Sequence, residues 1–252
     1  MRCLHADHPE HLYLTDAFVP THNSVLAQGI VYWALVRGAH VFIIDAVKGG
    51  ADFKFAEDRC QRFASTEQEA AAVMKYVYAE VRRRVALNAE HGVTQYTDLP
   101  EPPPHIVVLI DELTTLLGKS EVPDKSDDPE VSAERAKIET INRAKNEIGT
   151  FAGKLAREAR SAGVTLILGT QKLAAKTLDT IPGGNDLKTN LSRLLLGKAT
   201  TGDKQSALRS PFDVPDYDNT SIPRKRGIWE PVSAAEGSHH ALPGQDERCR
   251  GG

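Results

Sequence analysis

Long apolar runs are missing from this chain. None reaches the roughly 18 residues that a membrane span needs, so no transmembrane segment is expected. The N-terminus has no basic stretch followed by an apolar core, which argues against a signal peptide. Cysteine is scarce: Cys3, Cys60 and Cys249 have no metal-ligand spacing and leave one unpaired in any disulfide scheme. That favours a reducing, cytoplasmic setting. An excess of one charge is lacking too. At a net charge of −3, nothing in the total points to nucleic acid, although a local basic loop could still hold it. No internal repeat is visible. What is present is ordinary for a globular protein: 40% hydrophobic and 26% charged residues over 252 positions, enough for one α/β domain with a full core.

Three short apolar runs organise the chain. Val41-Phe42-Ile43-Ile44, Ile106-Val107-Val108-Leu109-Ile110 and Val164 to Leu168 have strand length and are apolar on both faces. Helical patterns lie around and between them. The first covers 24–38 and ends at Gly38. The second covers 67–89, with Ala71, Val73, Met74, Val77 and Val81 facing inward. The third runs to about Ala162, before a C-capping Gly163. Residues 118–135 are polar and read as an exposed loop, and Pro100 to Pro104 as a stiff connector. Leu194-Leu195-Leu196 and Gly227-Ile228-Trp229 are later strand candidates. Buried strands alternating with helices predict a mostly parallel sheet covered on both sides. Ligands bind such sheets beyond the carboxyl ends of the strands. Asp45, Asp111, Glu112, Thr170 and Gln171 all follow those ends.

Asp111-Glu112 after a buried strand has the form of a Walker B motif. The strand holds two carboxylates rigidly; one can bind Mg²⁺ directly or through water, and the next can orient and deprotonate a water. Alone, the pair also fits a strand end with two solvated acids. Further pieces in order add weight. Leu155-Ala156-Arg157-Glu158-Ala159-Arg160-Ser161-Ala162-Gly163-Val164 leads into Leu166-Ile167-Leu168-Gly169-Thr170-Gln171. Before it come Phe42-Ile43-Ile44-Asp45 and Lys48-Gly49-Gly50. After it come Leu187-Lys188-Thr189-Asn190-Leu191-Ser192-Arg193 and Gly227-Ile228-Trp229-Glu230. Over 24–230 this series resembles the FtsK/SpoIIIE motor domain.

The resemblance implies a RecA-like P-loop NTPase core that binds ATP and Mg²⁺, assembles as a homo-hexamer and drives double-stranded DNA through its centre. It implies that Asp111 binds Mg²⁺, that Glu112 activates water, and that Thr170 and Gln171 sense the γ-phosphate. Arg160 or Arg157 would stabilise transition-state charge, in this subunit or the next; both also fit a solvated helix surface. Ala46-Val47 stand where the family usually has a single proline, which puts the role of Lys48 in doubt.

One part of the motor is missing from the sequence. A phosphate loop needs Gly-x-x-x-x-Gly-Lys-Ser/Thr before the first helix, because only glycines let backbone N–H groups close around phosphates. Here Phe18-Val19-Pro20-Thr21-His22-Asn23 precedes Ser24, with neither glycine nor lysine. A motor that lost its site is one reading, which would leave a non-catalytic FtsK-like DNA- or partner-binding module. A sharper one starts from His22-Asn23-Ser24. Together with Asp7 to Thr21, these residues resemble the downstream splice junction of an intein, whose last segment would form a short N-terminal β-hairpin over 1–23. The resemblance implies that the Asn23 side chain attacks its own carbonyl and breaks the chain. His22 would protonate the leaving amine, and Ser24 would accept the acyl group. Ser24 stands where the Walker A serine belongs, so after splicing its hydroxyl would bind nucleotide and Mg²⁺. Cys3 would be the first splicing nucleophile, or else a small buried cysteine; His11 would assist Asn23 or orient the hairpin. On this reading the upstream intein half comes from another chain in trans, or is missing. The domains expected are therefore 1–23 as splicing segment, 24–230 as ATPase domain and 231–252 as a disordered tail.

Overall fold

The computed structural model describes residues 23–170, 182–196, 205, 227–230 and 240–241. Its contacts divide the chain into two units, 27–191 and 1–26 with 192–252. Of the segment expected to be an intein hairpin, residues 1–22, with Cys3, His11 and His22, lie outside the described residues.

The larger unit is built on four parallel strands: β1 (His40–Ile44), β2 (Arg62–Ala64), β3 (Ile106–Ile110) and β4 (Val164–Leu168), in the order β2-β1-β3-β4. The register is continuous, with Ile44 level with Ile110 and Ile110 level with Leu168. β1 and β3 are central in the described sheet, and that is why residues 41–44 and all of β3 are apolar. All five residues of β3 are buried, each contributing roughly 1.5–3 kcal/mol relative to exposure.

Successive side chains point to opposite faces, so each strand feeds two cores. Phe42, Ile44, Ile106, Val108 and Ile110 pack with helices α2 (Glu67–Glu90) and α4 (Pro129–Glu158). Val41, Ile43, Val107 and Leu109 pack with Ala27 and Val31 of α1 (Asn23–Val36), and with Phe53 and Ala56 of a short 3-10 helix. α2 starts at a capping box, Thr66 with Glu69, and buries Ala71, Val73, Met74, Val77 and Val81 as its spacing predicts. α3 (Leu113–Leu116) is a single turn after β3, and α5 (Gly184–Asn190) packs on α4. That contact depends on Gly153, since a Cβ there would sit 2.7 Å from the Cα of Gly183.

Two expectations are corrected, and one strand was not anticipated. Residues 129–135 are helix, not loop: Pro129 stands in the first turn and the Asp128 side chain accepts from the Glu130 N–H, so α4 starts there despite its charge. β4 is not a fully buried strand: it ends the order of the described sheet, with Thr165 exposed and 166–168 half-buried. β2 has too short an apolar pattern to announce itself, and it pairs with β1.

In the second unit, β5 (Arg193–Leu196), β6 (Gly227–Glu230) and β7 (His240–Ala241) form an antiparallel sheet in that order. Two residues of the stretch expected to be a disordered tail, His240 and Ala241, thus pair with β6. The rest of 231–252 lies outside the described residues.

Candidate functional site

The carboxyl ends of β1, β3 and β4 come level at one edge of the sheet. The ladder continues one residue past each strand. The Asp111 N–H donates to the Ile44 carbonyl (2.9 Å), and the Gly169 N–H to that of Ile110 (2.8 Å). Asp45, Asp111 and Gly169 are therefore held by rigid backbone, and the chemistry-bearing side chains project from fixed points.

Asp45 and Asp111 are fully buried, and Glu112 is 3% exposed. Burying three carboxylates is expensive unless they are paired. The pairing comes from Lys48, in the loop after β1. Its Nζ donates to Asp111 Oδ2 (3.0 Å) and Asp52 Oδ2 (2.8 Å), and lies 3.3 Å from Glu112 Oε1. The loop closes by a Gly50 N–H to Asp45 carbonyl bond (3.1 Å) and by the Lys48 N–H donating to Asp45 Oδ1 (3.1 Å). Gly50 (φ 84°) has to be glycine, since a Cβ would come within 2.5 Å of the Phe63 ring. Burial disfavours the Lys48 charge, but hydrogen bonds to Asp52 and Asp111 outweigh it and raise its pKa. Burial pushes the Asp45 carboxyl above the usual range, and the Asp111 charge adds to that.

Two buried acceptors stay unpartnered here: Asp45 Oδ2 and Asp111 Oδ1. Glu112 adds backbone strain. At φ 50° it is the one non-glycine residue with positive φ among those described, a conformation that costs about 1–3 kcal/mol and clusters at functional sites. Beside it, the Thr114 and Thr170 hydroxyls share a 2.7 Å hydrogen bond that ties α3 to the end of β4.

The edge thus brings Asp111, Glu112 and Thr170 together. It does not bring Arg160, which is exposed and precedes β4, whereas Thr170 follows it; the two stand at opposite ends of that strand. Arg157 pairs with Asp186 (2.8 Å) and Glu158 (2.7 Å). The α1 helix begins at Asn23-Ser24, so the backbone of both is helical. Gln171 lies outside the described residues. Sequence reasoning missed Asp52, whose only signal is its i,i+4 spacing from Lys48. It also left Lys48 without a role.

Among the described residues, no group of three or more His, Cys, Asp or Glu has a metal-holding arrangement. Mg²⁺ rarely needs one. It is commonly held by one or two carboxylates, with waters and substrate phosphates supplying the rest. The open Asp111 Oδ1 is an acceptor of the right kind and fits that use. Among the described residues, no helix is long and apolar enough to cross a membrane.

A parallel sheet covered by helices on both faces, with buried acids past the ends of its central strands, defines a RecA-like P-loop NTPase fold. Solved structures of that fold match most of the chain. The conjugation coupling protein TcpA of pCW3, a monomer form with ATPγS, has 19% identity and a TM-score of 0.60, over 92% of this chain and 63% of that one. The cytoplasmic domain of the Thermomonospora curvata type VII secretion ATPase EccC has 19% identity and a TM-score of 0.52, over 92% and 27%. ATPases 2 and 3 of EssC from Geobacillus thermodenitrificans have 16% identity and a TM-score of 0.53, over 89% and 41%. The chain thus spans less than two thirds of each. No protein-family model matches it, and no curated protein sequence does.

Proposed function

We propose that residues 24–230 are the downstream part of an ATP-driven double-stranded DNA translocase of FtsK/SpoIIIE type, joined to its upstream part by splicing at Asn23-Ser24. The observation that carries the motor reading is the buried Asp111-Glu112 pair past the central strand β3, strained at Glu112 and level with Asp45. In this reading Asp111 holds Mg²⁺ and Glu112 orients and deprotonates the attacking water. Thr170 and Gln171 respond to loss of the γ-phosphate. When bound, Mg²⁺ neutralises charge on the transferred phosphoryl group. Arg160, at the far end of β4, serves a neighbouring subunit of a homo-hexamer rather than its own site. The solved ATPases of the same fold support ATP as the ligand.

The splicing half rests on the sequence: His22-Asn23-Ser24 with an intein-like segment before it, and no glycine or lysine where the phosphate loop belongs. Ser24 acts twice, as acyl acceptor and then as Walker A serine. The test is to express the chain with an upstream partner that carries an intein N-terminal part behind a Gly-x-x-x-x-Gly-Lys loop, and to read products by mass spectrometry. Splicing gives a joined protein lacking residues 1–23. Asn23→Ala blocks release of the intein segment. An unchanged product pattern in Asn23→Ala would overturn the splicing role. The non-catalytic alternative has one observation in its favour, the Lys48 ammonium seated on both Walker B acids. A joined protein that forms yet hydrolyses no ATP would establish it.

A further inference from the structure

Four carboxylates, Asp45, Asp52, Asp111 and Glu112, gather around Lys48 at the sheet edge. Among the described residues, Lys48 Nζ contacts Asp52, Asp111 and Glu112. Asp45 receives only the Lys48 backbone N–H. The buried Asp45 Oδ2 and Asp111 Oδ1 are left without partners, a state that a second cation or its water shell relieves. The ammonium therefore sits where a divalent ion would have to compete for it. Asp52 differs from the buried acids: its side chain is 35% exposed and lies four residues from Lys48 on the same loop. It can keep the ammonium when Asp111 is taken.

We propose that Lys48 is a tethered stand-in for the divalent cation. It neutralises Asp111 and Glu112 in the metal-free chain and withdraws to Asp52 when metal binds Asp111. This rests on the reading of Asp111 as a cation ligand. Lys48 thereby sets a threshold: metal binds well only when it arrives with enough charge compensation to replace the ammonium, as it does with a nucleotide triphosphate. A chain without a phosphate loop keeps its Walker B acids closed to free metal.

The test uses Mn²⁺ alone with the full 252-residue chain, read by electron paramagnetic resonance of free Mn²⁺ and by thermal melting. Removing the competing charge in Lys48→Met or Lys48→Gln tightens Mn²⁺ binding by about tenfold or more and enlarges the stabilisation that Mn²⁺ confers. Adding Asp111→Asn to either variant abolishes the gain. Lys54→Met, which removes an equal charge paired with Glu57 instead, leaves Mn²⁺ affinity unchanged. Should a Lys48 variant be unfolded without metal, Mn²⁺ refolds it. The proposal is overturned by a variant that folds and binds no better than wild type, or that stays unfolded in excess Mn²⁺. A gain that survives Asp111→Asn, or that Lys54→Met reproduces, overturns it equally. Nucleotide turnover is not part of this readout. Failure here leaves the ATPase reading standing, and a joined protein without turnover leaves this result standing.

Discussion

The two ends of the central strands treat buried charge in opposite ways. At the amino ends, Arg84 of α2 is 1% exposed, yet each guanidinium nitrogen has a partner. Nε donates to Glu80 (2.8 Å), Nη1 to the Ala162 carbonyl (3.1 Å) and Nη2 to the Pro104 carbonyl (2.9 Å). That arginine fastens α2 to the chain entering β3 and β4. At the carboxyl ends, three buried carboxylates lean on one lysine, two acceptors are open, and Glu112 is held at positive φ. A buried charge with a partner at every nitrogen is architecture. Buried charge left partly unmatched is held ready for something absent, and the fold tolerates the cost because the strands beneath it are rigid.

Breaking the contrast at the carboxyl ends should have the largest effect. In the joined protein, Glu112→Gln lowers ATP turnover by about 10²–10⁴-fold while the melting temperature holds or rises; steady-state turnover and thermal melting read both. At the amino ends, Arg84→Met takes the donor from the Ala162 and Pro104 carbonyls while Glu80 keeps Arg83, and urea unfolding should show a loss of about 1–3 kcal/mol. Smaller and opposite in sign is Asp45→Asn. It keeps an acceptor for the Lys48 N–H and removes a buried negative charge beside Asp111, stabilising the chain by about 1 kcal/mol in the same assay.

The last prediction is a pH dependence. Hydrogen bonding from Arg83, opposed by burial and reinforced by Arg84, holds the Glu80 carboxyl at about 2, below its ordinary 4.5. A depressed carboxyl contributes stability that is complete above its unfolded pKa and is lost as pH falls through the folded one. The urea midpoint should therefore decline from about pH 4.5 toward pH 2, and Glu80→Gln should flatten that decline. Asp45 runs the other way. Its raised pKa means the folded state keeps a proton longer, so its contribution falls as pH rises above 3.8.

How much of this was legible in the sequence follows from what each element depends on. β1 and β3 were readable because a strand buried on both faces must be apolar throughout, and the inward face of α2 because burial repeats with the helical period. The acids at 111 and 112 were readable because they follow such a strand directly. β2 was not, since Arg62-Phe63-Ala64 borrows its order from β1. Arg84 looks like one more surface charge in Arg82-Arg83-Arg84, and only the packing of α2 on the amino ends buries it. Lys48 was seen, but its hold on Asp111 depends on a loop turned by Gly49 and Gly50 at positive φ. A family pattern could not supply that, because Ala46-Val47 departs from it. Whether Arg160 would serve its own subunit or the next was left open by the sequence, because nearness in sequence does not show that β4 separates it from Thr170.

The central claim is that the carboxylate edge is an ATPase centre completed by a phosphate loop from upstream of Ser24. DNA-stimulated ATP turnover, measured side by side on the 252-residue chain and on the joined protein, tests it most directly. The account predicts turnover in the joined protein, abolished by Glu112→Gln, and none in the chain by itself. Turnover by the unjoined chain, or a joined protein that binds DNA and never hydrolyses ATP, would contradict it.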